Sequence, residues 1–194
     1  MTSKSPEAVA MTLLLRQPLA GAYALHFWDC RHIITDGAVL FDAIASYEAR
    51  TGQTLPSKVE GLSLRYGSRT LLLYENRNRS RARINWTIAH ELGHILLQHT
   101  AGTAREEREA DRFAAAFLLP EAVIRYLDCR LGRPLTPSEM LPYFGASLSA
   151  CRRRRRELDN RPPQPISKED LCLLRRLFLP EEEKRTANTS YETE

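Results

Sequence analysis

Near the middle of the chain His90-Glu91-Leu92-Gly93-His94 places two imidazoles four residues apart. On a helix that spacing puts both rings on one face about one turn apart, the separation two histidines need to hold one zinc from a rigid backbone. Glu91, next to the first histidine, can reach a water activated by the metal without itself taking a coordination position. Gly93 leaves room beside the metal for another backbone or a substrate. The chemistry implied is metal-assisted hydrolysis: the metal lowers the pKa of water and polarises a carbonyl, and the carboxylate moves the proton. Shuffling a chain with this many His and Glu would produce such a pentad in about one trial in a hundred. A third ligand is therefore needed to support the reading.

A catalytic zinc takes three protein ligands and keeps one position open. Twelve residues past His94, the segment from Glu106 to Leu119 has helical periodicity and stops at Pro120. Four acids compete for the role. Ala110, Ala114 and Leu118 form a stripe that takes in Glu107 and Asp111, whereas Glu109 points to the far side and Glu106 lies nearer Phe113 and Phe117. Glu107 is accordingly the expected third ligand, because alanines on its stripe let the second helix approach the first. Asp111, one turn on, has two readings: an acceptor for the N–H of a ligating imidazole, or an exposed acid paired with Arg108 or Arg112. His99, five residues past His94, is expected to point away from it as a capping or solvated side chain. His26 and His32 have no metal-like partner spacing and read as structural.

The segment Arg83-Ile84-Asn85-Trp86-Thr87-Ile88-Ala89-His90-Glu91-Leu92-Gly93-His94, followed by Glu107-Arg108-Glu109-Ala110-Asp111-Arg112-Phe113-Ala114 and Phe117-Leu118-Leu119-Pro120, resembles the ImmA/IrrE family of gluzincin-like zinc metallopeptidases. The similarity covers roughly Gly61 to Val123 and extends at most to Leu158. The resemblance implies Zn2+ on His90, His94 and Glu107, with Glu91 as catalytic acid/base and Asp111 at a position where Asn or Asp is usual. It further implies a protein substrate, a helix-turn-helix repressor from a neighbouring gene of a phage, mobile element or stress operon, cleaved in the cytoplasm to release transcription. Trp86 and Leu119 stand where Phe and Met are usual, and neither touches the chemistry.

Certain elements must position these residues. Ile84, Ile88, Leu92, Ile95 and Leu96 recur at helical spacing, so the histidines sit on an amphipathic helix from Ile84 to Gln98. Upstream, Leu62-Leu64-Tyr66 and Thr70 to Tyr74, joined by Gly67-Ser68, predict a hairpin. Extended substrate is expected to add to the sheet edge at Leu71, Leu73 and Tyr74, which needs only main-chain hydrogen bonds. Val39, Leu40, Ala43, Ile44 and Tyr47 predict a helix stopped at Thr51-Gly52, and Ser5-Pro6-Glu7 predicts another from Pro6 to Arg16. Arg77, Arg79, Arg81 and Arg83 alternate, which in an extended chain puts them on one side, either as a solvated edge or as a basic strip facing substrate.

Past the motifs, Thr136-Pro137-Ser138-Glu139, a turn at Phe144-Gly145-Ala146 and a helix capped by Ser147 have helix-turn-helix spacing. Arg152 to Arg156 spread round that last helix. Packing on the core with solvated charges, contact with DNA, and binding of an acidic protein surface are the three readings. A Pro-rich hinge at 160–165 precedes a final helix striped by Leu171, Leu174, Leu177 and Phe178.

The 194 residues allow one domain, or one plus a small appended module. An apolar fraction of 43% and a charged fraction of 27% exclude collagen, whole-chain disorder and a disulfide scaffold. The net charge of +4, from 24 arginines and four lysines against 24 acids, permits an anionic partner without requiring one. Cys30, Cys129, Cys151 and Cys172 include no Cys-x-x-Cys pair and read as thiols of a reducing compartment. The apolar run Ala8 to Leu15 is too short to span a bilayer, so the expected location is the cytoplasm, without a membrane.

The expected fold is α+β, a small antiparallel sheet packed beside a zincin-type helix pair with an all-helical C-terminal portion. Residues 1–34 form an unassigned extension, 35–130 the metallopeptidase core, 131–160 the helix-turn-helix-like module, 161–179 the C-terminal helix and 180–194 a disordered acidic tail. The expected function is zinc-dependent endopeptidase. The alternatives are a DNA-associated regulator or sensor, whose zinc is structural and whose arginine-rich helix binds nucleic acid, and an antitoxin or scaffold acting by contact alone.

Overall fold

A computed structural model describes residues 5–17, 33, 35, 38–56 and 58–179. The expectations for His26, His32, Cys30 and the acidic tail fall outside these residues. The elements in chain order are α1 (Pro6–Arg16), β1 (Ala38–Phe41), α2 (Ile44–Thr51), β2 (Gly61–Tyr66), β3 (Arg69–Tyr74), α3 (Arg81–Leu96), α4 (Ala104–Leu118), α5 (Glu121–Leu131), α6 (Pro137–Met140), α7 (Leu148–Asp159) and α8 (Lys168–Phe178). The fold is α+β.

Helix starts follow local chemistry. Ser5, Ser80, Thr103, Thr136, Ser147 and Ser167 each accept a backbone N–H in the first turn of α1, α3, α4, α6, α7 and α8. Thr103 with Glu106 and Thr136 with Glu139 close reciprocal capping boxes. Ser80 starts α3 at Arg81, earlier than the apolar pattern suggested. Arg81 and Arg83 are therefore helical, and the one-sided strip expected from an extended chain does not form. Arg77 pairs instead with Glu75, and Arg79 and Arg83 with Glu60.

The sheet is mixed rather than antiparallel, with strand order β1-β3-β2. β2 runs antiparallel to β3, and β1 runs parallel to it. Val39 and Leu40, read as the start of a helix, lie in β1, and helix α2 begins only at Ile44. The β-branched and apolar residues of 38–41 gain main-chain partners on β3, which outweighs their accidental helical spacing. Because β3 is paired on both sides and Leu71, Leu73 and Tyr74 are buried, the sheet edge expected there is corrected. Among the described residues β2 has a neighbour on one side only.

Alternation along β3 separates two apolar clusters. Leu71 and Leu73 pack with Ile44 and Tyr47 of α2, whereas Leu72 and Tyr74 join the main core with Ile88 and Leu92 of α3. Register places Ser63 opposite Leu72 and Gly61 opposite Tyr74, so these β2 residues face α3 as well. The main core continues through α1, α4, α5, α7 and α8, whose Leu14, Phe117, Ile124, Leu158 and Leu177 belong to it. No helix among the described residues is long and apolar enough to cross a membrane.

Candidate metal centre

The histidine helix and the acid-bearing helix meet through small residues. Gly93 lies so close to α4 that a Cβ there would stand 3.1 Å from the Cα of Ala110 and 3.2 Å from the Phe113 ring. Its missing side chain thus admits a backbone rather than a substrate. Ala110 and Ala114, both fully buried, complete the contact. The approach turns Glu107 towards the two histidines.

His90 Nε2 and His94 Nε2 are 3.1 Å apart. Glu107 Oε2 lies 3.3 Å from the first nitrogen, and Glu107 Oε1 lies 3.5 Å from the second. In a tetrahedral site with bonds of ~2.1 Å the ligand atoms stand ~3.4 Å apart, so the triangle fits a metal ion without rearrangement. Among the described residues this is the one group of three or more His, Cys, Asp or Glu that can hold a metal. The outer nitrogens agree with this use. His90 Nδ1 faces Asp111 Oδ1 at 3.2 Å, a carboxylate that accepts a hydrogen bond from Nδ1–H and so keeps the ring's lone pair on Nε2. Burial, followed by the charge of His90, pushes the pKa of His94 below its ordinary value and favours the neutral ligand form. The Glu107 side chain is 54% exposed against 20% and 16% for the histidines, so the triangle opens towards solvent on the glutamate side.

Glu91 is held from the opposite direction by β2. Ser63 Oγ donates to Glu91 Oε2 at 2.5 Å, and a Cβ at Gly61 would stand 2.8 Å from Glu91 Cγ. A strand must lie this close for the serine to reach the carboxylate. Burial raises the Glu91 pKa, while the bond from Ser63 lowers it. The net upward direction suits a group that must take up a proton and give it back. Ser63 and Gly61 carried no motif; their role appears only through the β2–α3 contact.

His99 departs from expectation. A continued helix would turn it away, but α3 ends at Leu96, and Gln98 adopts a left-handed conformation with φ 58°. Gln98 N then donates to Ile95 O and His99 N to His94 O, at 3.2 and 2.9 Å, the hydrogen-bond pair of a Schellman motif. The chain doubles back and lays the His99 ring against His94, with centroids 5.0 Å apart. Glu109, assigned to the far side, meets His99 there. Glu106 is the capping-box acid of α4. Because Gln98 is not glycine, the left-handed C-cap left no mark in the sequence.

Of the three readings of the arginine run, packing on the core is the one its contacts fit, with part of the charge bonded rather than solvated. Arg154 Nε donates to Leu119 O at 3.0 Å, and Arg155 Nη1 to Asp128 Oδ2 at 2.7 Å, both from buried positions. Arg153 Nη1 reaches Asp111 Oδ2 at 3.3 Å. Among the described residues only Arg152 and Arg156 of the five lack a partner. Arg154 and Arg155, buried and bonded across to Leu119 and to α5, are unavailable to DNA phosphates, whereas Arg153 stays half exposed while it reaches Asp111 of α4.

A profile of the family described as peptidase M78, IrrE N-terminal-like domain, matches residues 53–155, from just before β2 into α7. No curated protein matches the sequence. The match spans more than half of the 194 residues and takes in both helices of the ligand triangle. This chain belongs to the M78 peptidase family of IrrE N-terminal-like domains.

Proposed function

We propose that the protein is a zinc-dependent endopeptidase that cleaves a DNA-binding, helix-turn-helix repressor encoded nearby, acting in the cytoplasm to relieve repression. The triangle of His90 Nε2, His94 Nε2 and a Glu107 carboxylate oxygen, with Glu91 one residue from the first histidine, is the observation that carries this reading. Zinc held by these three side chains would supply Lewis acidity, enough to lower the pKa of water towards ~7 and to polarise a carbonyl. Glu91 takes the proton of the attacking water and delivers it to the leaving amine. Ser63 keeps its carboxylate aimed during both transfers. Asp111 orients His90 through Nδ1.

Substrate enters in extended form and pairs with the outer side of β2. The single-sided pairing of β2 among the described residues and the packing of Gly61 and Ser63 against Glu91 support this route. The test is incubation of the zinc-loaded protein with the purified repressor of the adjacent gene, read by mass mapping of fragments. Cleavage by wild type and none by Glu91→Gln is expected. No cleavage by wild type, or equal cleavage by the variant, overturns the proposal.

A further inference from the structure

His99 is a histidine whose side chain is only 6% exposed, set between a proposed ligand and a carboxylate. Its Nδ1 lies 3.0 Å from His94 Nδ1, and its Nε2 lies 3.2 Å from Glu109 Oε2. Two imidazole nitrogens at hydrogen-bond distance share one proton, so one ring donates and the other accepts. Glu109 decides which. Its carboxylate only accepts, so His99 Nε2 carries a proton and a neutral His99 has a bare Nδ1. The shared proton then belongs to His94 Nδ1, and the lone pair of His94 sits on Nε2, the atom that faces His90 and Glu107. Arg105 Nε donates to the other oxygen of Glu109 at 2.9 Å and fixes the far end.

We propose that His99 and Glu109 are positioning residues of the metal centre, a relay that fixes the tautomer and ring orientation of His94 as Asp111 does for His90. This inference rests on zinc being held by His90, His94 and Glu107. The two histidines are served asymmetrically: a carboxylate meets His90 directly, whereas His94 meets one through an intervening imidazole. The Schellman turn at Gln98 is what brings that imidazole back over the ligand.

The test is zinc affinity, measured by competition with a chromophoric chelator on the full chain, with the visible spectrum of the Co2+-substituted protein as a second readout. His99→Phe keeps an aromatic ring and removes the acceptor, and it should weaken zinc binding by about 10- to 100-fold and shift the Co2+ bands. His99→Asn, which offers an acceptor oxygen near the place of Nδ1, should recover affinity to within about threefold of wild type. Glu109→Ala removes a partly exposed side chain, leaves the folding of α4 intact, and should weaken binding by about tenfold. Either His99→Phe or Glu109→Ala binding zinc as tightly as wild type overturns the relay. A wild-type chain that takes up no zinc overturns the metal reading beneath it instead.

Discussion

Arg153 and Asp111 are joined at 3.3 Å through Nη1 and Oδ2, while the other oxygen of the same carboxylate faces His90 Nδ1 at 3.2 Å. Helix α7 therefore reaches the proposed metal centre through one carboxylate. The pair is partly exposed, so its effect on zinc is modest and weakens with salt. Arg153→Gln is expected to lower zinc affinity by about two- to fivefold at low ionic strength, whereas Arg152→Gln leaves it unchanged. Chelator competition at two salt concentrations measures both, and equal affinities for the two variants would contradict the coupling.

Arg155 is 8% exposed and Asp128 13%, and Asp128 also accepts from Leu135 N at 2.8 Å. Removing the arginine strands a largely buried carboxylate. Arg155→Gln should cost about 3 kcal/mol of unfolding free energy, against about 0.5 kcal/mol or less for Arg152→Gln or Arg156→Gln. Urea denaturation decides this, and a loss below about 1 kcal/mol for Arg155→Gln would return that residue to a solvated role.

The convergence of His90, His94 and Glu107 was legible because helical periodicity alone aligns the two histidines and puts Glu107 on the small-residue stripe of α4. The starts of α1, α6, α7 and α8 were legible because Ser5, Thr136, Ser147 and Ser167 are local caps, whereas α3 and α4 start from the caps Ser80 and Thr103, ahead of their apolar patterns. The sheet topology was not, since nothing within Ala38–Phe41 states that it will pair with β3, and long-range pairing overrode helical spacing. The roles of Ser63 and Gly61 arise from a strand lying across α3, and that of His99 from a left-handed residue that is usually glycine. Which arginines of the run bond to the core was not legible, because the acceptors of Arg153, Arg154 and Arg155 on other elements are distant in sequence: Asp111, a main-chain carbonyl at Leu119, and Asp128.

Gly61→Ala places a methyl 2.5 Å from Thr87 Cγ2 and 2.8 Å from Glu91 Cγ, so either β2 retreats or Glu91 moves. Zinc content should be unchanged, while peptide hydrolysis falls about 10- to 100-fold through misplacement of the acid/base group. Ser63→Ala should lower the rate in the same way. Single-turnover cleavage assays measure both, and wild-type rates in both variants would remove β2 from the positioning of Glu91.

The Arg133 guanidinium, and then the N–H and hydroxyl of Thr136, hold the Glu139 carboxyl at about 2, below its ordinary 4.5. A folded value below the unfolded one contributes stability that is present above about pH 4.5 and is lost as pH falls through about 2. Glu139→Gln should therefore be less stable than wild type near neutral pH, with the gap closing as the solution is acidified across that window. Thermal melts across this pH series test it, and a constant gap would contradict the linkage.

Zinc per chain, measured by elemental mass spectrometry on protein from gel filtration, tests the central claim most directly. One zinc is predicted for wild type and for Glu91→Gln, with depletion in His90→Ala, His94→Ala and Glu107→Ala but not in Glu106→Ala. A zinc-free wild type, or a Glu107→Ala chain that keeps full zinc while Glu106→Ala loses it, would contradict the account.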